Sequence, residues 1–137
     1  MSVRIDIEYL GNLKCVATHL DSGAKLETEA PKDNGGEGSL FSPTDLVATG
    51  LASCIMTIMG AIADRRGIDI KGLKIEATKH MATEKPRRIS KIELSISFPS
   101  GLNLSDEDKK RIEHAIEICP VKQSIHPEIE VATKIIY

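Results

Sequence analysis

An uncharged stretch at residues 46–63 restricts what this chain can fold into more than any other feature. It contains no Asp, Glu, Lys or Arg, and apolar or small side chains occupy every face of a helical wheel. The preceding residues form a helix start, with Ser42 at the N-cap, Pro43 at the first helical position and Asp45 three residues after the cap. The sequence therefore predicts one long buried helix from Pro43 to the residue before Gly67.

A membrane span is the alternative for such a helix. These 18 residues barely approach the roughly 20 that cross a bilayer core, and Thr49, Gly50, Ser53, Thr57 and Gly60 dilute the stretch. We therefore expect a core helix and no membrane association. A chain of 137 residues has few other elements to cover a helix on all sides. This predicts a homodimer in which a second subunit supplies part of the cover.

Short alternating runs of apolar and polar residues lie on both sides of this helix in sequence. They predict strands over residues 3–9, 13–20, 24–30, 68–81, 89–98 and 129–137. Ser105 begins a second helix with the same N-cap pattern, and Pro120 breaks or restarts that helix after Cys119. The order of strands, helix, strands, helix and strand predicts a single α+β domain over residues 1–137 with largely antiparallel pairing.

The segment PKDNGGEGS, residues 31–39, combines turn formers and charges without an apolar period. We expect a mobile loop here, of the kind that often borders a site. Its glycines do not lead from a strand into a helix with dinucleotide-binding spacing, so no role beyond a loop is predicted.

Charge and composition exclude several classes of function. The net charge is −2, with 18 basic and 20 acidic residues spread along the chain, so neither nucleic acid nor an anionic membrane is an expected partner. The N-terminus has the pattern of a strand rather than of a secretory signal, which leads us to expect a cytoplasmic protein. In a reducing compartment, three cysteines are thiols with chemical or packing roles rather than a disulfide framework.

The three cysteines differ in their surroundings. Cys54 lies near the middle of the long helix among small and apolar residues, where a packed core thiol is the simplest interpretation. Cys119 lies between a helix end and Pro120, where backbone groups lack partners, so packing explains it less well. Cys15 shares one strand face with Ala17 and is predicted to be a packing residue.

Two cysteines on different helices suit a thiol peroxidase. A thiolate attacks the peroxide and becomes a sulfenic acid, which the second thiol traps as a disulfide before further oxidation. The apolar surroundings of Cys54 favour an organic hydroperoxide as substrate. The thiols carry the electrons, so the chemistry requires no bound cofactor. Burial disfavours a thiolate, so Cys54 needs a positive neighbour, and its own helix offers none within a turn.

The motifs SPTDL at residues 42–46, ASC at 52–54 and CPV at 119–121 occur in this strand and helix order, and the chain thereby resembles the OsmC/Ohr family. The family comprises osmotically inducible protein C and the organic hydroperoxide resistance proteins, and the resemblance covers essentially the whole chain. It implies an intertwined homodimer in which sheets enclose long central helices and two active sites lie at the interface. It also implies that Cys54 is the peroxidatic thiol, that Cys119 is the resolving thiol, and that a dithiol such as a lipoylated protein is the reductant.

The chain departs from the family at two site positions. In the family's hydroperoxide reductases, an arginine from the N-terminal region and a glutamate just after the helix-start proline complete the site. The nearest counterparts here are Lys14 and Asp45, because Thr44 follows the proline. Lys14 can supply charge to a thiolate but lacks the planar fork of arginine. Asp45 lies about 13 Å along the helix from Cys54 and on the opposite face. It can reach such a thiol only across a dimer, and helix capping explains it equally well.

Two other functions fit parts of the pattern. The departures from the family's arginine and glutamate suit a relative without peroxidase turnover that binds a small apolar or thiol-reactive ligand at the dimer interface. A metal site would have to combine Cys54 and Cys119 with His114 or His126. These residues lack the closely spaced ligand pairs of zinc sites, so no metal is predicted.

Overall fold

A computed structural model describes the whole chain, residues 1–137, and shows two compact units. They are Met1–Leu46 and Val47–Tyr137. One long helix, α1 (Pro43–Arg65), begins in the first unit and continues into the second. The combination of helices with two three-stranded sheets confirms the predicted α+β class. The assignment of the chain to one domain stays a prediction.

The first unit contains an antiparallel meander. Its strands β1 (Ile5–Gly11), β2 (Lys14–His19) and β3 (Lys25–Glu29) pair in chain order, as their alternating sequences predict. The turn between β1 and β2 places Asn12 and Leu13 at positive φ, 52° and 61°. Leucine rarely adopts this conformation, so the chain accepts a local backbone cost just before β2 begins.

One face of this sheet is apolar. The register pairs Ile7 with Ala17, and Ala17 with Leu26, so these side chains share a face with Ile5 and Tyr9. The four larger side chains on this face are between 47% and 67% exposed in the single chain. The opposite face carries mainly charged and hydroxyl side chains. A contiguous apolar face left exposed is typical of an interaction surface.

The second unit combines a sheet with helices. Its strands are β4 (Lys74–Met81), β5 (Ile89–Ser97) and β6 (Glu130–Ile136), and the helices α2 (Asp106–Ile118) and α3 (Pro120–Ser124) connect β5 to β6. The β4–β5 pair is antiparallel, but the β5–β6 pair is parallel. Three of the four strand pairs in the chain are therefore antiparallel, in agreement with the largely antiparallel pairing expected from sequence. The helical crossover carries the chain back to the end of the sheet at which β5 begins.

Strand β4 is shorter than predicted, because it begins at Lys74 rather than at residue 68. A turn precedes it, in which the Leu73 N–H donates to the Ile70 carbonyl at 2.9 Å. Gly72 adopts a φ of 96° within this turn, a conformation that glycine reaches without steric cost. The apolar residues between positions 68 and 73 therefore lie in a turn and not in a strand.

The core of the second unit joins α1, β5 and α2. The buried side chains include Leu51, Ile55, Met59 and Ala63 on α1, Ile92, Leu94 and Ile96 on β5, and Ile112, Ala115 and Ile116 on α2. Those on α1 are four residues apart, and those on β5 alternate as predicted from sequence. Burial of each large side chain contributes about 1.5–3 kcal/mol, so this core is the main source of stability for the unit.

Helix α1 is buried on one face by the chain's own core. On its other side, Thr49, Ser53, Thr57 and Ala61 are exposed in the single chain. By length and composition α1 could also cross a membrane, a test that core helices of soluble proteins pass as well. The exposed face is where a second subunit would supply the remaining cover, and the homodimer stays a prediction.

Candidate functional site

Cys54 and Cys119 meet in the second unit. Cys54 lies in the middle of α1, and Cys119 directly follows the last residue of α2. Although the two residues are far apart in sequence, their side chains lie close enough for Cys54 to raise the pKa of the Cys119 thiol. Both are free thiols. The structure thus brings together the two cysteines that were paired from sequence.

The two thiols differ in their access to solvent. Cys119 is fully buried, whereas Cys54 is half-buried and packs against the same core. Burial raises the pKa of the Cys119 thiol above its ordinary value, and the contact with Cys54 adds to the rise. The backbone N–H groups of Lys122 and Val121 partly oppose it. Cys119 is therefore a protonated, shielded thiol at neutral pH, and Cys54 is the one that a solute can reach.

The break between α2 and α3 determines where Cys119 lies. This residue is the C-cap of α2 and the N-cap of α3, with extended backbone angles of φ −61° and ψ 118°. Pro120 occupies the first position of α3, where a helix needs no backbone donor. The irregular junction predicted from sequence therefore presents the Cys119 thiol to α1.

Asp45 caps the start of α1. Its carboxylate accepts a hydrogen bond from the Ser42 N–H at 2.8 Å, and the Ser42 hydroxyl accepts one from the Asp45 N–H at 3.1 Å. This reciprocal arrangement is a capping box. The capping interpretation of Asp45 is confirmed, and its role in a catalytic site stays a prediction.

Lys14 lies beside a carboxylate of its own unit. It pairs with Glu29 across β2 and β3, and both residues line a cavity of about 350 Å³ together with Leu13 and Gly36. The charge of Lys14 makes a small contribution to lowering the pKa of Glu29, behind larger hydrogen-bonding effects. Lys14 thus already faces the carboxylate of Glu29. That Lys14 supplies positive charge to the Cys54 thiolate stays a prediction.

Glu29 is a buried carboxylate that sequence reasoning did not identify. It is only 1% exposed, and it accepts hydrogen bonds from the Ser39 hydroxyl at 2.6 Å, the Glu37 N–H at 2.9 Å and the Ser39 N–H at 3.0 Å. A Cβ atom on Gly36 would lie 1.6 Å from the Ala30 carbonyl oxygen, so only glycine fits where the loop passes close to the backbone of Ala30. These contacts correct the expectation of a mobile loop at residues 31–39, because the carboxylate holds the loop against β3.

The hydrogen bond from the Ser39 hydroxyl is the largest of the effects that lower the pKa of Glu29 from 4.5 to about 2. Because the folded-state pKa lies below the unfolded value, the ionised carboxylate stabilises the folded loop above pH 4.5. This contribution is lost as the pH falls toward 2. We expect hydrogen-exchange protection factors of the Glu37 and Ser39 amides to fall steeply below about pH 4. Glu29→Gln should show low protection at every pH.

A matched control for this prediction is Glu27→Gln, which removes an exposed carboxylate from the same strand. This variant should keep the wild-type pH dependence, since Glu27 makes no contact with the loop amides. Wild-type protection that stays constant from neutral pH to about pH 2.5 would show that Glu29 does not hold the loop through its charge.

The remaining sequence candidates have structural roles. Cys15 is half-buried on the apolar face of the first sheet, in register with Tyr9 and Thr28, which fits a packing residue. No group of three or more His, Cys, Asp or Glu side chains is arranged to hold a metal ion.

Sequence comparison relates the chain to one protein family. A family model described as "OsmC-like protein" matches residues 36–134, a range that includes both Cys54 and Cys119. An uncharacterized protein from Acinetobacter baylyi is 26% identical over 121 residues, covering 88% of this chain and 83% of that protein.

Solved structures share the fold over nearly the full length. A protein from Psychrobacter arcticus 273-4, provisionally named an osmotic stress induced and detoxification response protein, is 44% identical with a TM-score of 0.89. The match covers 96% of this chain and 93% of that one. The organic hydroperoxide resistance protein OsmC from Legionella pneumophila is 20% identical with a TM-score of 0.76, covering 100% of this chain and 98% of that one. Together these likenesses confirm the OsmC-like fold.

Proposed function

Since the chain belongs to the OsmC-like protein family, we propose that it is a thiol peroxidase that reduces organic hydroperoxides with Cys54 and Cys119. The observation that carries the proposal is the proximity of a half-buried thiol on α1 to a fully buried one at the junction of α2 and α3. Hydroperoxide resistance is the named function of the structural relative from Legionella pneumophila, which supports the substrate class.

In the first step, the Cys54 thiolate attacks the terminal oxygen of the hydroperoxide ROOH. The O–O bond breaks, an S–O bond forms, and the departing alkoxide takes up a proton and leaves as the alcohol ROH. Cys54 becomes a sulfenic acid. The difference in exposure supports this order, because a substrate can reach Cys54 while Cys119 is shielded by the core.

In the second step, Cys119 resolves the sulfenic acid. Its sulfur attacks the Cys54 sulfur, a disulfide forms, and the hydroxyl group leaves as water after taking the thiol proton. Contact between the two side chains in the reduced protein supports a step with little movement. An external dithiol of the lipoyl type then restores both thiols by exchange and becomes a disulfide itself.

A homodimer is part of the proposal. The apolar face of the first sheet and the small-residue face of α1 that carries Thr49, Ser53, Thr57 and Ala61 are both exposed in the single chain, and a second copy is the simplest cover for them. Within this proposal Lys14 supplies positive charge to the thiolate, and Asp45 is the acidic residue of the site.

A second candidate function is non-catalytic binding of a small apolar or thiol-reactive ligand. The local partners of the two supporting residues favour it: Asp45 is engaged with Ser42 at the helix cap, and Lys14 faces Glu29. Charges committed in this way are less able to activate a thiol than the arginine and glutamate of the family's hydroperoxide reductases.

Stoichiometric oxidation separates the two candidates. We expect one equivalent of cumene hydroperoxide to remove two thiols from the reduced protein and lower its intact mass by about 2 Da, as disulfide formation requires. Cys15→Ser should lose two thiols in the same way, because Cys15 lies in the other unit. Persistence of all thiols with an unchanged mass would reject the peroxidase and leave the binding function.

A further inference from the structure

Two contacts join residues that lie on, or directly after, helices α1 and α2. In one, Cys54 contacts Cys119, and in the other the Arg66 guanidinium is bonded to the Asp108 carboxylate. The residue order at the two contacts shows that the helices run antiparallel. At about 1.5 Å per residue, the contacts lie roughly 18 Å apart along α1. A groove of about 640 Å³ lies beside this stretch, a size suited to a small molecule.

The walls of the groove combine apolar and basic side chains. Besides Arg66 they include Ile62, Ile118, Arg65, Lys110, Arg111 and His114. Ile118 is 47% exposed although it is a large apolar residue. No acidic side chain lines the groove. An uncovered apolar surface thus lies next to a concentration of positive charge.

The acidic side chains of α2 neutralise two of the basic residues that line the groove, Arg66 and Arg111, and leave the other three without an ion pair. Each of four already has a partner: Glu107 with Arg111, Asp108 with Arg66, Glu113 with Tyr137, and Glu117 with Lys122. Arg65, Lys110 and His114 make no ion pair in the structure. The groove therefore presents unpaired basic groups, although the chain as a whole carries a net charge of −2.

We propose that this groove binds a small anionic amphiphile, a molecule with a carboxylate or phosphate group on a short alkyl chain. Arg65, Lys110 and His114 bind the anionic group, and Ile62 and Ile118 pack against the alkyl chain. The groove is concave, so its shape suits a single small molecule better than the flat surface of a bilayer. No cysteine lines the groove, so the site does not depend on the proposed peroxidase reaction.

Octyl phosphate is a suitable probe, with titration calorimetry on the reduced protein as the measurement. We expect one site, with tighter binding than for octyl glucoside, which lacks the charge, or inorganic phosphate, which lacks the chain. Because charge-assisted contacts are the stronger hydrogen bonds, the double variant Arg65→Gln/Lys110→Gln should weaken binding about tenfold or more. Ile118→Asn should weaken binding of octyl phosphate and leave that of inorganic phosphate unchanged.

The matched control is Lys71→Gln/Lys74→Gln, which removes the same charge from exposed positions near the start of β4. Equal affinity in the control and the double groove variant would overturn the proposal, as would equal binding of octyl glucoside.

Binding to phosphatidylglycerol vesicles without binding of octyl phosphate would point to a membrane surface. A groove variant that changes the oligomeric state while no probe binds the wild type would show that a second copy covers the groove. Either result overturns the proposal. Cys54→Ser should bind octyl phosphate normally, so failure of the peroxidase proposal leaves this test valid.

Discussion

Cys54→Ser is expected to abolish consumption of cumene hydroperoxide in the presence of a dithiol reductant, because a serine hydroxyl does not supply a sulfur nucleophile. Cys119→Ser should consume about one equivalent, or about two where the sulfenic acid is overoxidised to a sulfinic acid, and then stop, because the sulfenic acid on Cys54 has no thiol partner. Its intact mass should rise by about 16 Da, or by about 32 Da after overoxidation. Residual hydroperoxide and intact mass, followed in the same samples, measure both effects.

Cys15→Ser provides the control for these two variants, because it removes a half-buried thiol without touching the pair. It should retain the wild-type rate and the mass loss of about 2 Da. Sustained turnover by Cys54→Ser would contradict the assignment of the attacking thiol. Sustained turnover by Cys119→Ser with an unmodified mass would mean that the external dithiol, and not Cys119, resolves the intermediate.

The second large effect is expected at the apolar face of the first sheet. Ile7→Glu places a charge at the centre of this face, at a side chain that is 67% exposed in the single chain. Loss of about 1.5–3 kcal/mol of apolar burial in each of two subunits should raise the dimer dissociation constant by at least about 100-fold. Light scattering during size-exclusion chromatography should show a dimer for the wild type and a monomer for the variant.

Thr18→Glu tests whether the position of the charge matters. Thr18 pairs with Asp6 and Lys25 on the opposite, polar face of the same sheet, so the new carboxylate has a basic neighbour. This variant should remain a dimer with wild-type thermal stability. A monomeric wild type would remove the dimer from the proposal, and a dimeric Ile7→Glu would place the interface elsewhere.

Local patterns in the sequence were sufficient for most secondary structure. The cap at Ser42 and Asp45, the uncharged run of α1 and the alternation of β5 all depend on neighbours a few residues apart, and the structure reproduces them. The predicted start of β4 at residue 68 was wrong because residues 68–71 alternate between apolar and polar like a strand, whereas the turn at Gly72 separates them from β4. The direction of β6 depends on the path of the crossover, which no local pattern records.

Pairing Cys54 with Cys119 was possible from sequence because each lies in a recognisable motif. The sequence could not predict which of the two thiols is shielded from solvent, because exposure depends on how α2 and α3 pack beside α1. The groove was equally hidden, because Ile62 and Ile118 come from distant segments that only helix packing brings together.

Sequence by itself determined the α+β class, the long central helix, its capping and the two cysteines of interest, because these follow from spacing along the chain. Tertiary structure alone decided that Glu29 holds the glycine-rich loop, that β6 runs parallel to β5, and that Cys119 is the buried thiol of the pair. The physical reason is the same in each case. Burial, hydrogen bonding of a carboxylate and contact between thiols depend on residues that are distant in sequence. The free energies of these interactions arise only when folding brings the residues together, so no local pattern predicts them.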